Sequence, residues 1–179
     1  MGQYYRPVLQ IEDKPIEIYD RDIDGEYTMA KLMEHSWWRN NMVNAILYKL
    51  LDKQCKLAWV GDYAEDLPDD IAKLNVWDKE DCEKLTSVDF TLDGCFVYNH
   101  TKQQYLDCDK YKSNNADGDG WIINPMPLLT AFGNGLGGGD YDGENEDLVG
   151  SWAWDTIEIT RTKKDNDYEE LEITFKEEY

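Results

Sequence analysis

The 179-residue chain carries 38 Asp and Glu against 18 Lys and Arg, a net charge of −20 that repels nucleic acid and favours basic partners. Its 41% hydrophobic and 13% aromatic content excludes an acidic disordered chain, which would have the charge without the aromatics. A single domain over 1–179 is expected, since a chain of this length buries roughly 70% of its unfolded surface in one core. No run approaches the roughly 20 apolar residues of a membrane span, and MGQYYRPVLQ has no basic stretch leading into an apolar one. Cys55, Cys82, Cys95 and Cys108 are scattered and form no secreted framework. The expectation is a soluble, cytoplasmic protein with no membrane partner.

Residues 3 to 10 and 15 to 19 alternate as strands, with a hairpin turn around Glu12-Asp13-Lys14. From Thr28 the period changes. Leu32, Met33, Met42, Val43, Ile46, Leu47, Leu50 and Leu51 form a stripe at helical spacing, the longest helix of the chain, bent or interrupted over 35–40 and capped by Asn40 or Asn41. Lys56 to Val60 reads as a buried strand ending at Gly61-Asp62. In the acidic stretch 65–90, Pro68 stands just inside one short helix and Trp77 to Leu85 forms another. Residues 94–108 read as two strands; with Thr101-Lys102 as the loop, Val97 faces Leu106 and Cys95 faces Cys108. Trp121–Ile123 is a short strand, Asn124 to Pro127 an extended turn, and 133–147 a loop rich in Gly and acid. Strands at 152–160 and 168–175 finish the chain. Strands outnumber helices and follow one another directly, so the expected fold is α+β: a mainly antiparallel sheet with one long helix and short helices.

The chain has two histidines, His35 and His100, and no CxxC, HxxxH or HExxH pair. A metal site would therefore draw on distant segments: His35, Asp62, His100, Asp140, or the thiols of Cys95 and Cys108. Zinc suits imidazole and thiolate donors; two ordinary hydrogen-bonded histidines account for the same letters. Asp20–Gly25 and Asn115–Gly120 resemble the start of a calcium loop. Lys31 and Met126 stand where each would need its bidentate Glu, and polar turns explain both segments. GNGLGGGDYDGENEDL (133–148) lacks the Lys of a phosphate-binding loop and carries carboxylates that repel phosphate.

The acidic residues come in bursts: Glu65, Asp66, Asp69, Asp70, then Asp78, Glu80, Asp81, Glu83, then 140–147 and the C-terminus. Solvated faces are one account. The other is mimicry of DNA, since a basic groove built for phosphates attracts carboxylates by the same electrostatics.

The blocks MGQYYRPVL, KLMEHSWW, WVGDY, VYNHTKQQYLD and NPMPLLTAFGNGLGGGDY are similar to a family of small proteins carried by Gram-positive bacteria and their phages. The likeness runs from residue 1 to about Trp154. The resemblance, joined to the charge, implies an anti-CRISPR protein of the kind that blocks type II effectors, some of which bind metal. It places His35, Asp62, His100 and Asp140 in family blocks and makes them the metal candidates. Three functions follow as expectations. One is a phage-encoded inhibitor that binds a Cas9-type effector through Glu65–Glu83, blocking nucleic-acid loading without chemistry and without binding nucleic acid itself. The second is a zinc-dependent hydrolase using the His/Asp set. The third is an interaction module of a mobile element.

Overall fold

Alternation at the N-terminus builds the expected hairpin. The computed structural model describes residues 1–28, 30–116 and 120–177. In it β1 (Tyr5–Ile11) pairs antiparallel with β2 (Glu17–Ile23), Val8 facing Ile18. A short β3 (Glu26–Tyr27) folds back on β2.

The apolar stripe from Leu32 to Leu51 forms two helices, correcting the single long one. α1 (Leu32–His35) stops at Ser36, whose hydroxyl bonds back to the Leu32 carbonyl. α2 (Asn41–Tyr48) starts afresh where Asn40 Oδ1 accepts the Val43 amide at 3.0 Å, the expected cap. Between them the backbone is used elsewhere: Trp37 bridges Ile123, and the Trp38 amide donates to the Ile122 carbonyl at 3.0 Å. Tertiary backbone pairing overrides helical periodicity here.

β4 (Cys55–Gly61) is buried along nearly its whole length. α3 (Asp69–Ala72) follows Pro68, which stands at the N-cap. The stretch expected as a second acidic helix ends instead in β5 (Glu83–Leu85), parallel to β2. β6 (Phe96–Asn99) and β7 (Gln104–Asp107) take the register expected from the sequence, with Val97 opposite Leu106 and the Cys108 amide donating to the Cys95 carbonyl at 3.1 Å. α4 (Cys108–Asn115) continues from β7 under an Asp107 cap. The second calcium-like segment, Asn115–Gly120, lies partly outside the described residues.

The expected extended turn at 124–127 is the start of α5 (Pro125–Leu129), with Asn124 Oδ1 accepting the Met126 amide at 3.0 Å and proline in the first turn. β8 (Ala131–Phe132), β9 (Thr156–Thr160) and β10 (Glu169–Glu170) complete the described elements, so the strand expected over 168–175 is much shorter. The sheet order is β10-β7-β6-β9-β4-β1-β2-β3, with β5 beside β2 and β8 beside β4. Pairings β5–β2, β8–β4 and β10–β7 are parallel and the rest antiparallel. The fold is α+β around a mixed sheet with short helices.

Period-two alternation assigns the strands to two cores. Tyr5, Leu9, Leu57 and Trp59 face the larger core with Met42, Ile46, Leu128 and Trp152. Val8, Ala58 and Val60 face the other side, where Ile71, Val76 and Trp154 meet them. The acidic segment is thus the cover of the second face.

Candidate functional site

Residues 65–83 must hold many like charges at the surface while burying enough to stay in place. Burial of Ile71 and Val76 contributes roughly 1.5–3 kcal/mol each. Arg6, on the same face of β1 as Val8, adds a clamp. Its Nη1 donates to the Val76 carbonyl at 2.9 Å and the Lys79 carbonyl at 3.1 Å, and its guanidinium lies 4.9 Å from the Trp77 ring centre. At the other end Trp154 Nε1 donates to Asp70 Oδ2 at 2.8 Å. The Arg21 guanidinium approaches the rings of Trp77, Tyr4 and Tyr27 at 5.3, 5.1 and 4.8 Å.

On this frame Glu65, Asp66, Asp69, Asp78, Glu80, Asp81 and Glu83 are exposed, and Asp70 is half-buried. None of them enters an ion pair among the described residues; the ion pairs that form lie elsewhere. The segment carries unneutralised negative charge on a fixed backbone.

The four metal candidates fall into two places. Asp140 is neither a free ligand nor an exposed turn residue. Its Oδ2 accepts the amides of Gly135, Leu136 and Gly137 at 2.9, 3.1 and 3.0 Å and Gln3 Nε2 at 2.8 Å, while Oδ1 accepts the Tyr5 hydroxyl at 2.7 Å. The glycine-rich loop is an anion nest, and the anion is the protein's own carboxylate. Gly137 is required because a Cβ there would stand 2.5 Å from Gln3 Cβ, and Gly135 because its φ is +87°. Asp62 closes the same corner, donating its amide to the Tyr4 carbonyl at 2.9 Å and accepting the Tyr4 amide on Oδ1 at 3.1 Å.

His35 is buried against Trp59, ring centres 4.8 Å apart, and 6.2 Å from Tyr5. Neither ring nitrogen makes a well-formed hydrogen bond. Burial lowers its pKa to about 3, with the carbonyls of Lys31 and Ala30 working weakly the other way, so the imidazole is neutral at pH 7.

His100 lies apart, on the turn after β6. In the sheet β6 is three strands from β1, roughly 14 Å at the usual strand spacing. His100 Nε2 contacts Glu158 Oε2 at 2.9 Å and Nδ1 contacts the Tyr168 hydroxyl at 3.0 Å. Burial works to raise the Glu158 pKa, but Lys164 and His100 together hold it below the usual carboxylate range.

Asp62 and Asp140 therefore gather at the N-terminal end of β1 as supports of one polar cluster, His35 packs its ring beside Tyr5 without a hydrogen bond to the cluster, and His100 does not join them. Among the described residues no three His, Cys, Asp or Glu side chains converge as metal ligands. The first calcium-like loop spends Asp22 on the Gly25 amide and Asp24 on Ser87, with Lys84 facing Asp20 and Asp22. Among the described residues no helix is long and apolar enough to cross a membrane.

Gln3, Tyr5 and Arg6 escaped the sequence reading. Gln3 is a buried amide that links Asp140, the Gly133 carbonyl and the Tyr63 amide; nothing in its flanking letters marks it. Arg6 had a usable signal, since it shares strand parity with Val8 and precedes a proline on a sheet face that needed a cover. No protein family, curated protein or solved structure matches this chain.

Proposed function

We propose that the protein is an inhibitor that acts by occupancy: its 65–83 face binds a basic nucleic-acid-binding surface, that of a Cas9-type effector, and keeps guide or target strand out. The observation that carries this reading is the set of carboxylates from Glu65 to Glu83, none in an ion pair among the described residues, on a segment clamped by Arg6, Ile71 and Trp154. Fixed carboxylates substitute for phosphates, spaced roughly 3.4 Å per step along one strand, with little ordering entropy lost on binding. A protein of charge −20 is also drawn to a basic channel at long range, which raises the association rate. No bond is made or broken in this function.

A cleavage assay with purified Cas9 of streptococcal type tests it. Cutting should fall as the protein is titrated, recover steeply with added salt, and recover on neutralising Asp78, Glu80 and Asp81 to Asn, Gln and Asn. Full cutting at excess protein, or inhibition indifferent to both salt and the triple variant, would overturn the reading.

A further inference from the structure

Aromatic side chains are costly to leave in water, and of the seven tryptophans Trp121 alone is left exposed. Trp121 is 61% exposed and meets half-buried Trp37 edge to face, ring centres 5.0 Å apart. Together with Trp38, Arg39, Asn40 and Lys112 they line a cleft of about 550 Å³, within the range of small-molecule sites. The cleft is remote in sequence from the acidic segment and takes no part in the inhibitor reading.

Its walls are rigid. The chain at 36–38 is laced to 122–124 by the Trp37–Ile123 bridge, the Trp38 amide to the Ile122 carbonyl, and the Asn124 amide to the Ser36 carbonyl at 2.8 Å. Trp38 Nε1 donates to Asp93, which also pairs with Lys112, and the Lys112 ammonium covers the Trp38 ring at 5.5 Å. Trp38 and Lys112 are therefore satisfied by each other and by Asp93. Arg39 is not: it is exposed at the rim, and no carboxylate among the described residues lies within ion-pair distance of it. Arg6, Arg21 and Arg161 likewise enter no ion pair among the described residues but lie over aromatic rings, which Arg39 does not.

We infer that the Trp37–Trp121 cleft is a binding site for a planar ring bearing one anionic group, of the nucleoside monophosphate class. The ring stacks on the open face of Trp121, where aromatic contact is tolerant of base identity. The phosphate is held by Arg39, whose planar fork matches two phosphate oxygens, a geometry lysine cannot offer. Lys112 contributes field and not a direct contact, since Asp93 holds it. The strongly negative chain selects for a single phosphate over a polyphosphate.

The test is nitrogen-15 NMR of the full chain with labelled indoles, the seven tryptophan signals assigned by single Trp→Phe variants. Adenosine 5′-monophosphate should shift the Trp121 and Trp37 signals saturably. Adenosine should shift them more weakly, and ribose 5-phosphate should leave them in place. R39A should weaken the monophosphate about tenfold and leave adenosine unchanged, with R39K in between; W121A should weaken both. Trp121 and Arg39 are exposed, so these variants are expected to fold, and the unchanged signals of buried Trp59 and Trp152 report it. Absence of a saturable Trp121 shift up to about 10 mM monophosphate, or an R39A affinity within twofold of the parent, would overturn the assignment. Cas9 inhibition is not read in this experiment, so either proposal can fail alone.

Discussion

The Tyr5 hydroxyl donates to Asp140 Oδ1 at 2.7 Å across 135 positions of sequence. Burial and this bond drive the phenol pKa far above its ordinary value, so Tyr5 is always a donor. The carboxylate it meets also fills the nest of the glycine-rich loop, which ties the loop to the first strand of the sheet.

Removing that anion should therefore unfasten both. Asp140→Ala leaves the amides of Gly135, Leu136 and Gly137 and the Tyr5 hydroxyl without their acceptor and costs the Gln3 amide one of its bonds. It should cost about 2–4 kcal/mol in urea unfolding. Tyr5→Phe removes one donor to a charged acceptor and should cost about 1.5–3 kcal/mol. The double variant should cost less than the sum, because the two share one bond. Strict additivity would show that the bond contributes nothing.

Acid should destabilise the protein through His35. Between pH 6.5 and about 3 the unfolded imidazole binds a proton and the buried one does not, so stability falls as pH drops through that window. At one pKa unit per 1.36 kcal/mol, the full effect is on the order of 5 kcal/mol. Glu158 acts lower: its folded pKa is depressed, so its contribution is complete above its ordinary 4.5 and is lost below it. His35→Phe should flatten the stability profile between pH 6.5 and 4.5 and make it shallower below 4.5, where only carboxylates such as Glu158 would still contribute. An unchanged slope would show that His35 does not titrate as a buried group.

The acidic face should loosen without its clamp. Arg6→Ala removes the bonds to the Val76 and Lys79 carbonyls and the stack on Trp77. Amide exchange over 76–83 should rise at least tenfold, with the β4 amides unaffected; Arg6→Lys should recover only part, since an ammonium lacks the planar fork. Uniform exchange across both regions would mean that the segment unfolds only with the whole domain.

Thiol labelling should be selective. Cys55, Cys95 and Cys108 are free and buried, and burial raises all three pKa values, that of Cys55 to about 11. Burial raises the Cys82 thiol as well, but Cys82 alone is half-exposed, so native protein at pH 8 should give one thiol that reacts faster than the other three, abolished by Cys82→Ser. Additional fast thiols in that variant would contradict the packing around the β6–β7 hairpin.

Periodicity by itself determined much of this protein. The β1–β2 hairpin, the β6–β7 register, the Asn40 cap and the acidic surface of 65–83 follow from local spacing, because side-chain direction alternates on a strand and a capping amide needs only its neighbours. The tertiary structure decided the rest. Whether the stripe at 32–51 is one helix or two depends on backbone bonds from 122–124. Asp140 became the occupant of a nest because Gln3 and Tyr5 arrive from the other end of the chain. His35 and His100 separated for the same reason: strand order in a sheet is set by long-range pairing, and no local pattern encodes which distant strands will be neighbours.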